Sequence, residues 1–275
     1  MLIAQITDTH IKPKGGLAYG NIVDSATSLK NIVEHCNKFN PKLDLVIVTG
    51  DLTDSGKIEE YEAFNKIIEL LEMPWFLIPG NHDNSQNIFK FFTNHEYLPK
   101  NEDFCNYLID EFPFNLIGLD TTVRGKNFGE LCNKRLIWLD SKLKQYSKKP
   151  TFLFMHHHPF VTGIDGMDFQ NLRNSKALFD ILKSHHHVKH IACGHVHRAV
   201  ETVIDGIGIS IAPNGAHSVN LDLDSKGPPM FIMEPPSIRI FKLNSKNKSV
   251  VSHISFVGNF KGPYPFYSDR GDLLN

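Results

Sequence analysis

No run of about 18 consecutive apolar residues occurs in this 275-residue chain, so no membrane-spanning helix and no membrane partner are expected. Charge excess of either sign is missing too. Lysine and arginine number 29 against 30 aspartates and glutamates, a formal net charge of −1 that leaves no electrostatic footprint for nucleic acid. Cysteine is scarce: Cys36, Cys105, Cys132 and Cys193 form no C-x-x-C pair and read as small core hydrophobes. The N-terminus shows no basic stretch followed by a long apolar run, so no secretory signal is read and a cytoplasmic location is expected. Internal repeats and low-complexity tracts are also lacking. Histidine, in contrast, is abundant, with 15 residues, and it is the commonest metal-ligating side chain.

The histidines and several acids fall at the ends of apolar runs. Leu45–Thr49 is an unbroken apolar or β-branched run that closes on Gly50-Asp51, the pattern of a buried parallel strand. Four more runs do the same. Leu2–Thr7 leads to Asp8 and His10, and Trp75–Pro79 leads to Gly80-Asn81-His82-Asp83. Thr151–Met155 leads to His156, and His190–Cys193 leads to Gly194-His195-Val196-His197. Ligands of open α/β sheets bind outside the carboxyl ends of the strands, so these side chains are expected to meet in one crevice around Asp51.

Helical periodicity over Ile22–Phe39 and Lys57–Glu72 separates the first three strands, predicting a right-handed βαβαβ unit. Ile88–Thr93, Lys134–Tyr146 and Leu178–Ser184 also read as helices, with a strand pair at Asn106–Ile109 and Asn115–Asp120 between them. Beyond Arg198 the pattern changes to strand pairs. These are Ala199–Asp205 with Gly208–Ala212, then Ser237–Leu243 with Val250–Val257, separated by proline-rich loops. The expected organisation is a catalytic core over 1–198. A strand-rich segment over 199–275 would complete the sandwich and form a cap or oligomer contact.

Asp8 and His10 offer a hard oxygen and an imidazole, Asp51 two carboxylate oxygens, and Asn81 a neutral amide oxygen. His156, His195 and His197 add three nitrogens. A mixed oxygen and nitrogen set without thiolate suits Mn, Fe(II) or Zn and serves Ca poorly. Two such ions about 3.5–4 Å apart can clamp a phosphate and hold a bridging hydroxide. A single Gly-Asp or Gly-His-x-His is often incidental, but five such elements at successive strand ends are not.

Together these motifs resemble the calcineurin-like binuclear metallophosphoesterases. Within them the chain is similar to the class III cyclic-nucleotide phosphodiesterases and to bacterial glycerophosphodiesterases. The latter likeness runs nearly end to end and includes Leu17-Ala18-Tyr19-Gly20, Phe154-Met155-His156-His157 and Lys261-Gly262-Pro263-Tyr264. The resemblance implies an α/β fold, a layered sandwich of β-sheets flanked by helices. It also implies two divalent metal ions. Asp8, His10, Asp51 and His197 would hold the first, and Asp51, Asn81, His156 and His195 the second. His82 would contact the phosphoryl oxygen or assist the leaving group, with Asp83 orienting its imidazole. Tyr19 and His217 would line the substrate pocket beside Asn81, and relatives of this kind assemble through the C-terminal region as homo-oligomers.

One departure is His156-His157-His158-Pro159, where relatives often read His-His-Pro-Pro; His157 and His158 are expected at the rim or behind the ligands. His185-His186-His187 is expected to be a solvated helix end with favourable dipole contact. The implied activity is hydrolysis of small phosphodiesters by a metal-bridging hydroxide, cyclic AMP first and glycerophosphodiesters second. A phosphomonoesterase is a further alternative. An inert scaffold should have lost ligands, whereas every ligand type is present here, and an exonuclease would call for a basic groove that the charge balance does not favour.

Overall fold

The computed structural model describes residues 1–100, 103–224, 227–269 and 273. The first half alternates strand and helix: β1 (Leu2–Ile6), α1 (Ser25–Asn37), β2 (Leu45–Thr49), α2 (Ile58–Ile68), β3 (Trp75–Ile78) and α3 (Ser85–Phe91). After the short antiparallel pair β4 (Tyr107–Ile109) and β5 (Asn115–Leu119) come α4 (Asn133–Gln145) and β6 (Thr151–Met155). The one-turn α5 (Asp165–Asp168), α6 (Ser175–Leu182) and β7 (Val188–Cys193) follow. The rest is β8 (Val200–Ile204), β9 (Ile207–Ile211), β10 (Ser218–Val219), β11 (Phe231–Ile232), β12 (Ser237–Asn244) and β13 (Ser249–Phe256).

These strands form two main sheets and a small ribbon. One sheet has the order β13-β12-β1-β2-β3, the other β4-β5-β6-β7-β9-β8, and β10 pairs with β11. Strands β1, β2 and β3 run parallel, as do β5, β6, β7 and β9. The parallel centres explain the unbroken apolar runs, since every residue of β2 and of β6 is buried. The C-terminal strands extend both sheets: β12 adds antiparallel to β1, and β9 adds parallel to β7.

Two buried polar side chains tie the sheets together. The amide of Gln5 on β1 donates to Thr49 Oγ1 and to the Cys193 carbonyl, each at 2.8 Å. The Arg239 guanidinium on β12 donates to the Ile211 carbonyl at 3.0 Å and to Ser252 Oγ at 2.6 Å, and pairs with Glu201 of β8. Leaving any of these partners unpaired would cost more than the bond gains, which makes the sheet-to-sheet register specific.

Helix ends differ from periodicity where side chains cap the backbone. Asp24 accepts from the Thr27 amide at 3.0 Å and starts α1 at Ser25, leaving Ile22 exposed. Asn84 caps α3, which begins three residues before the expected Ile88. The ribbon β10–β11 and α5 carry too few residues for a periodic signal.

Candidate active site

The two parallel centres deliver their strand ends to one crevice. Asp8 and His10 follow β1, Asp51 follows β2, Asn81 follows β3, His156 follows β6, and His195 and His197 follow β7. The loops are stitched together by the Asp8 amide on the Gly50 carbonyl and the His10 amide on the Asp51 carbonyl, both at 3.0 Å. Asp8, His10, Asp51, His195 and His197 all have positive φ, between 43° and 75°, a region few non-glycine residues occupy. Such strain persists where the surroundings over-determine it, commonly at functional sites. A side chain at Gly80 would overlap the Asp51 carboxylate, so glycine is required at that close approach.

Seven predicted side chains meet here. His10 Nε2 lies 3.2 Å from His197 Nε2 and 3.7 Å from Asp51 Oδ2, while His197 Nε2 is 3.3 Å from Asp8 Oδ1. On the other side, His156 Nε2 lies 3.0 Å from Asn81 Oδ1, 3.2 Å from His195 Nδ1 and 3.5 Å from Asp51 Oδ2. The His156 Nδ1–H donates to the Thr49 carbonyl at 2.8 Å, so its Nε2 lone pair faces the Asn81 and Asp51 oxygens. Acceptors set against acceptors call for a cation. His10 Nδ1 and His195 Nε2 are buried without a hydrogen-bond partner.

Three-residue groupings of donor atoms within 4.8 Å of one another include Asp8, His10 and His197, and Asp8, Asp51 and His156. The residues present therefore fit divalent cations by donor type and burial. Burial presses the His10 and His195 imidazoles well below their ordinary range. Burial lowers His156 as well, but the adjacent Asp51 carboxylate outweighs it and raises His156 to about 9. Without a cation, a proton therefore takes the Nε2 position that a bound cation would otherwise claim. Burial also raises Asp51, yet His156, His82 and His10 hold it well below the usual carboxylate range.

His82 stands edge-on to His10 with ring centroids 4.7 Å apart, and its Nδ1 donates to the Asp54 carbonyl at 2.8 Å, leaving Nε2 without a backbone partner. The expected role of Asp83 is corrected. Its carboxylate does not hold the His82 ring; it accepts from the Leu52, Thr53 and Gly80 amides, Thr53 Oγ1 and the Tyr61 hydroxyl at 3.0–3.2 Å. Asp83 organises the loops that carry Asp51 and Asn81, and the imidazole is oriented by a backbone carbonyl that no side-chain pattern signals.

Tyr19 and His217 line a cavity of about 230 Å³ with Met167, Gln170, Met230 and Phe231. They also reach inward. Tyr19 Oη is 3.1 Å from His10 Nε2, and His217 Nε2 is 2.8 Å from His197 Nδ1. Burial, with His197 nearby, holds His217 down at about 3.

His157 and His158 are fully buried, not at the rim. His157 Nδ1 pairs with Thr121 Oγ1 at 2.8 Å and its Nε2 with the Asn127 carbonyl at 3.2 Å, so its ring is engaged behind His156. His158 lies 3.5 Å from Asp168 of α5. The His185–His187 expectation holds for His186, which is exposed. It fails for His185, which is buried with Nε2 2.8 Å from Asp140 of α4. Asn214 escapes sequence reading: it donates to the Asp8 carbonyl at 2.6 Å, and its only sequence signal is the turn Pro213-Asn214-Gly215.

The family model for calcineurin-like phosphoesterases matches residues 1–199. A probable glycerophosphodiester phosphodiesterase GpdQ of Arcobacter nitrofigilis is 41% identical over the whole of both chains. The 3',5'-cyclic adenosine monophosphate phosphodiesterase CpdA of Escherichia coli is 30% identical over 82% of each. Among solved structures, a dimetal phosphatase from Danio rerio superposes with a TM-score of 0.61 at 13% identity, covering 92% of this chain and 98% of its own, which bears on the fold alone. The crevice of strand-end acids and imidazoles, the fold and the family match agree: the chain belongs to the calcineurin-like phosphoesterases, among their metal-dependent phosphodiesterases.

Proposed function

We propose that this chain hydrolyses small linear phosphodiesters, with glycerophosphodiesters ahead of cyclic AMP. That order reverses the one read from the sequence. The observation that carries it is the size of the cavity over the metal-ligand cluster. At about 230 Å³ it holds a glycerol-sized arm, and a nucleoside would have to extend beyond it. The full-length likeness to a probable glycerophosphodiesterase supports the same order. The specific support for cyclic AMP is the tilted pair of Tyr19 and Phe231 rings, 5.6 Å apart, which offers a stacking surface.

In this reading Asp8, His10, Asp51 and His197 hold one divalent ion, and Asp51, Asn81, His156 and His195 the other, as Fe, Mn or Zn. What a bound pair supplies is charge neutralisation at the phosphoryl oxygens and a water of lowered pKa. The chain's own groups do the rest. Asp51 sets the separation of the two ligand sets, and His82, anchored through Nδ1 on Asp54, turns Nε2 to the phosphoryl group. Burial lowers His82, but Asp51 and the Asp54 carbonyl outweigh it and raise it above its ordinary value, which favours a proton on the ring. Tyr19 and Gln170 offer polar contacts to the arm in the cavity.

Self-association through the C-terminal segment belongs to the same reading. Phe256, Phe260, Tyr264, Phe266 and Tyr267 are each more than half exposed, beyond what isolated surface residues require. No helix among the described residues is long and apolar enough to cross a membrane. The test of the activity is turnover of the metal-reconstituted protein on glycerophosphodiesters, cyclic AMP, cyclic GMP, an aryl diester and an aryl monoester. Higher kcat/KM for cyclic AMP than for any glycerophosphodiester would reverse the order. Preference for the monoester would remove the diesterase reading.

A further inference from the structure

Asn81 and His82, which line the small cavity, also line a second, larger groove of about 670 Å³. The two spaces share those two residues and no other lining side chain. The groove is walled by α3, whose last turn carries Lys90, and by the loop after β5, which carries Arg124. We infer that this groove receives the second ester arm of a linear diester and that Lys90 and Arg124 select arms ending in an anionic group, carboxylate or phosphate. The inference rests on the diesterase reading and deepens it.

The charge balance of the groove supports this. Three acids also line it, and each is already matched. Asp83 accepts from five donors. Asp120 accepts from the Cys105 and Thr122 amides and the Thr122 hydroxyl at 2.7–3.1 Å, and lies 3.8 Å from Arg135. Asp103 pairs with Lys134 at 3.0 Å. Lys90 and Arg124 are exposed, and among the described residues neither has a carboxylate within ion-pair distance. Asp120 and Asp103 are offset by Arg135 and Lys134, and Asp83 is turned onto five protein donors. Among the described residues, Lys90 and Arg124 are therefore the charged groups left to meet a ligand in the groove.

The geometry also separates diester classes. A cyclic diester ties both ester oxygens into one ring system, so its two arms leave phosphorus together. A linear diester sends its arms apart, and with phosphorus at the ligand cluster beside His82 one arm enters each space. The small cavity then limits one arm by size, and the groove sorts the other by charge. Lys and Arg at a partly exposed site discriminate chiefly through binding, so the effect belongs in KM.

The test uses p-nitrophenyl diesters that differ only in the other arm, ending in carboxylate, phosphate, hydroxyl or trimethylammonium. The metal-loaded full chain is expected to favour both anionic arms over the hydroxyl arm, less so as salt rises. The double variant Lys90→Gln/Arg124→Gln is expected to lower the anionic-to-hydroxyl ratio of kcat/KM about five- to tenfold, mainly through KM. Arg124→Glu should shift preference toward the trimethylammonium arm. Equal kcat/KM for all arms in the parent, or a ratio untouched in both variants, overturns the groove while leaving the diesterase reading in place. A parent that cleaves none of the diesters overturns both.

Discussion

His217 Nε2 lies 2.8 Å from His197 Nδ1, so a residue placed by sequence in the substrate pocket also braces an imidazole proposed to hold a metal. Partners of this kind fix the tautomer and orientation of a ligand, and their loss commonly costs 10–100-fold in metal affinity. His217→Ala is therefore expected to weaken one of the two metal equivalents by roughly 10–100-fold and to alter the kcat/KM ratios among diesters. Metal titration with elemental analysis checks this. Unchanged occupancy and affinity would confine His217 to the substrate.

His82→Ala is expected to keep both metals and to lower kcat by about 10²–10³, the scale of one transition-state donor. The ring hangs on the Asp54 carbonyl and contacts His10 edge-on, without completing either proposed ligand set. Loss of metal in the variant would reassign it as a ligand.

Asp83→Ala should act on the loops before the chemistry. Removing a carboxylate that satisfies five donors leaves amides of residues 52, 53 and 80 unpaired, at a cost of about 2–4 kcal/mol. Urea unfolding of the apo protein reads this directly. Wild-type stability with lost turnover would return Asp83 to a direct role at His82.

His190 should set part of the acid limb of stability. It is buried on β7, parallel to Phe152 at 5.4 Å and 2.8 Å from Ser210 Oγ, and burial together with Arg239 holds it down at about 3. The folded chain keeps this imidazole neutral while the unfolded chain protonates it below about 6.5. Its contribution is therefore fully present above pH 6.5. It is lost as pH falls toward 3, by up to about 1.4 kcal/mol per pH unit. His190→Gln is expected to flatten the stability curve between pH 6 and 4 relative to the parent. Parallel curves in urea melts at several pH values would show that another group governs the slope.

The parallel strands and the chemistry at their ends are written in the chain itself. An apolar run buried on both faces, as at Leu45–Thr49, leaves little but a parallel strand as its reading, and the residues directly after it must emerge at the carboxyl edge. The meeting of Asp8, His10, Asp51, Asn81, His156, His195 and His197 in one crevice is legible for that reason, and so are the two C-terminal hairpins. Which neighbour each polar group chooses is not legible. Asp83 adjoins His82 in the chain but finds its partners on residues 52, 53, 61 and 80. His157 and His158 sit next to a strand end, yet the loops around Thr121 and Asp168 bury them. The left-handed backbone at Asp8, His10, Asp51, His195 and His197 and the unequal sizes of the two spaces flanking His82 likewise emerge only from the packed molecule. Periodicity records which face a residue presents, whereas hydrogen-bond partners, loop strain and cavity size arise from segments far apart in sequence that meet only when both sheets have packed.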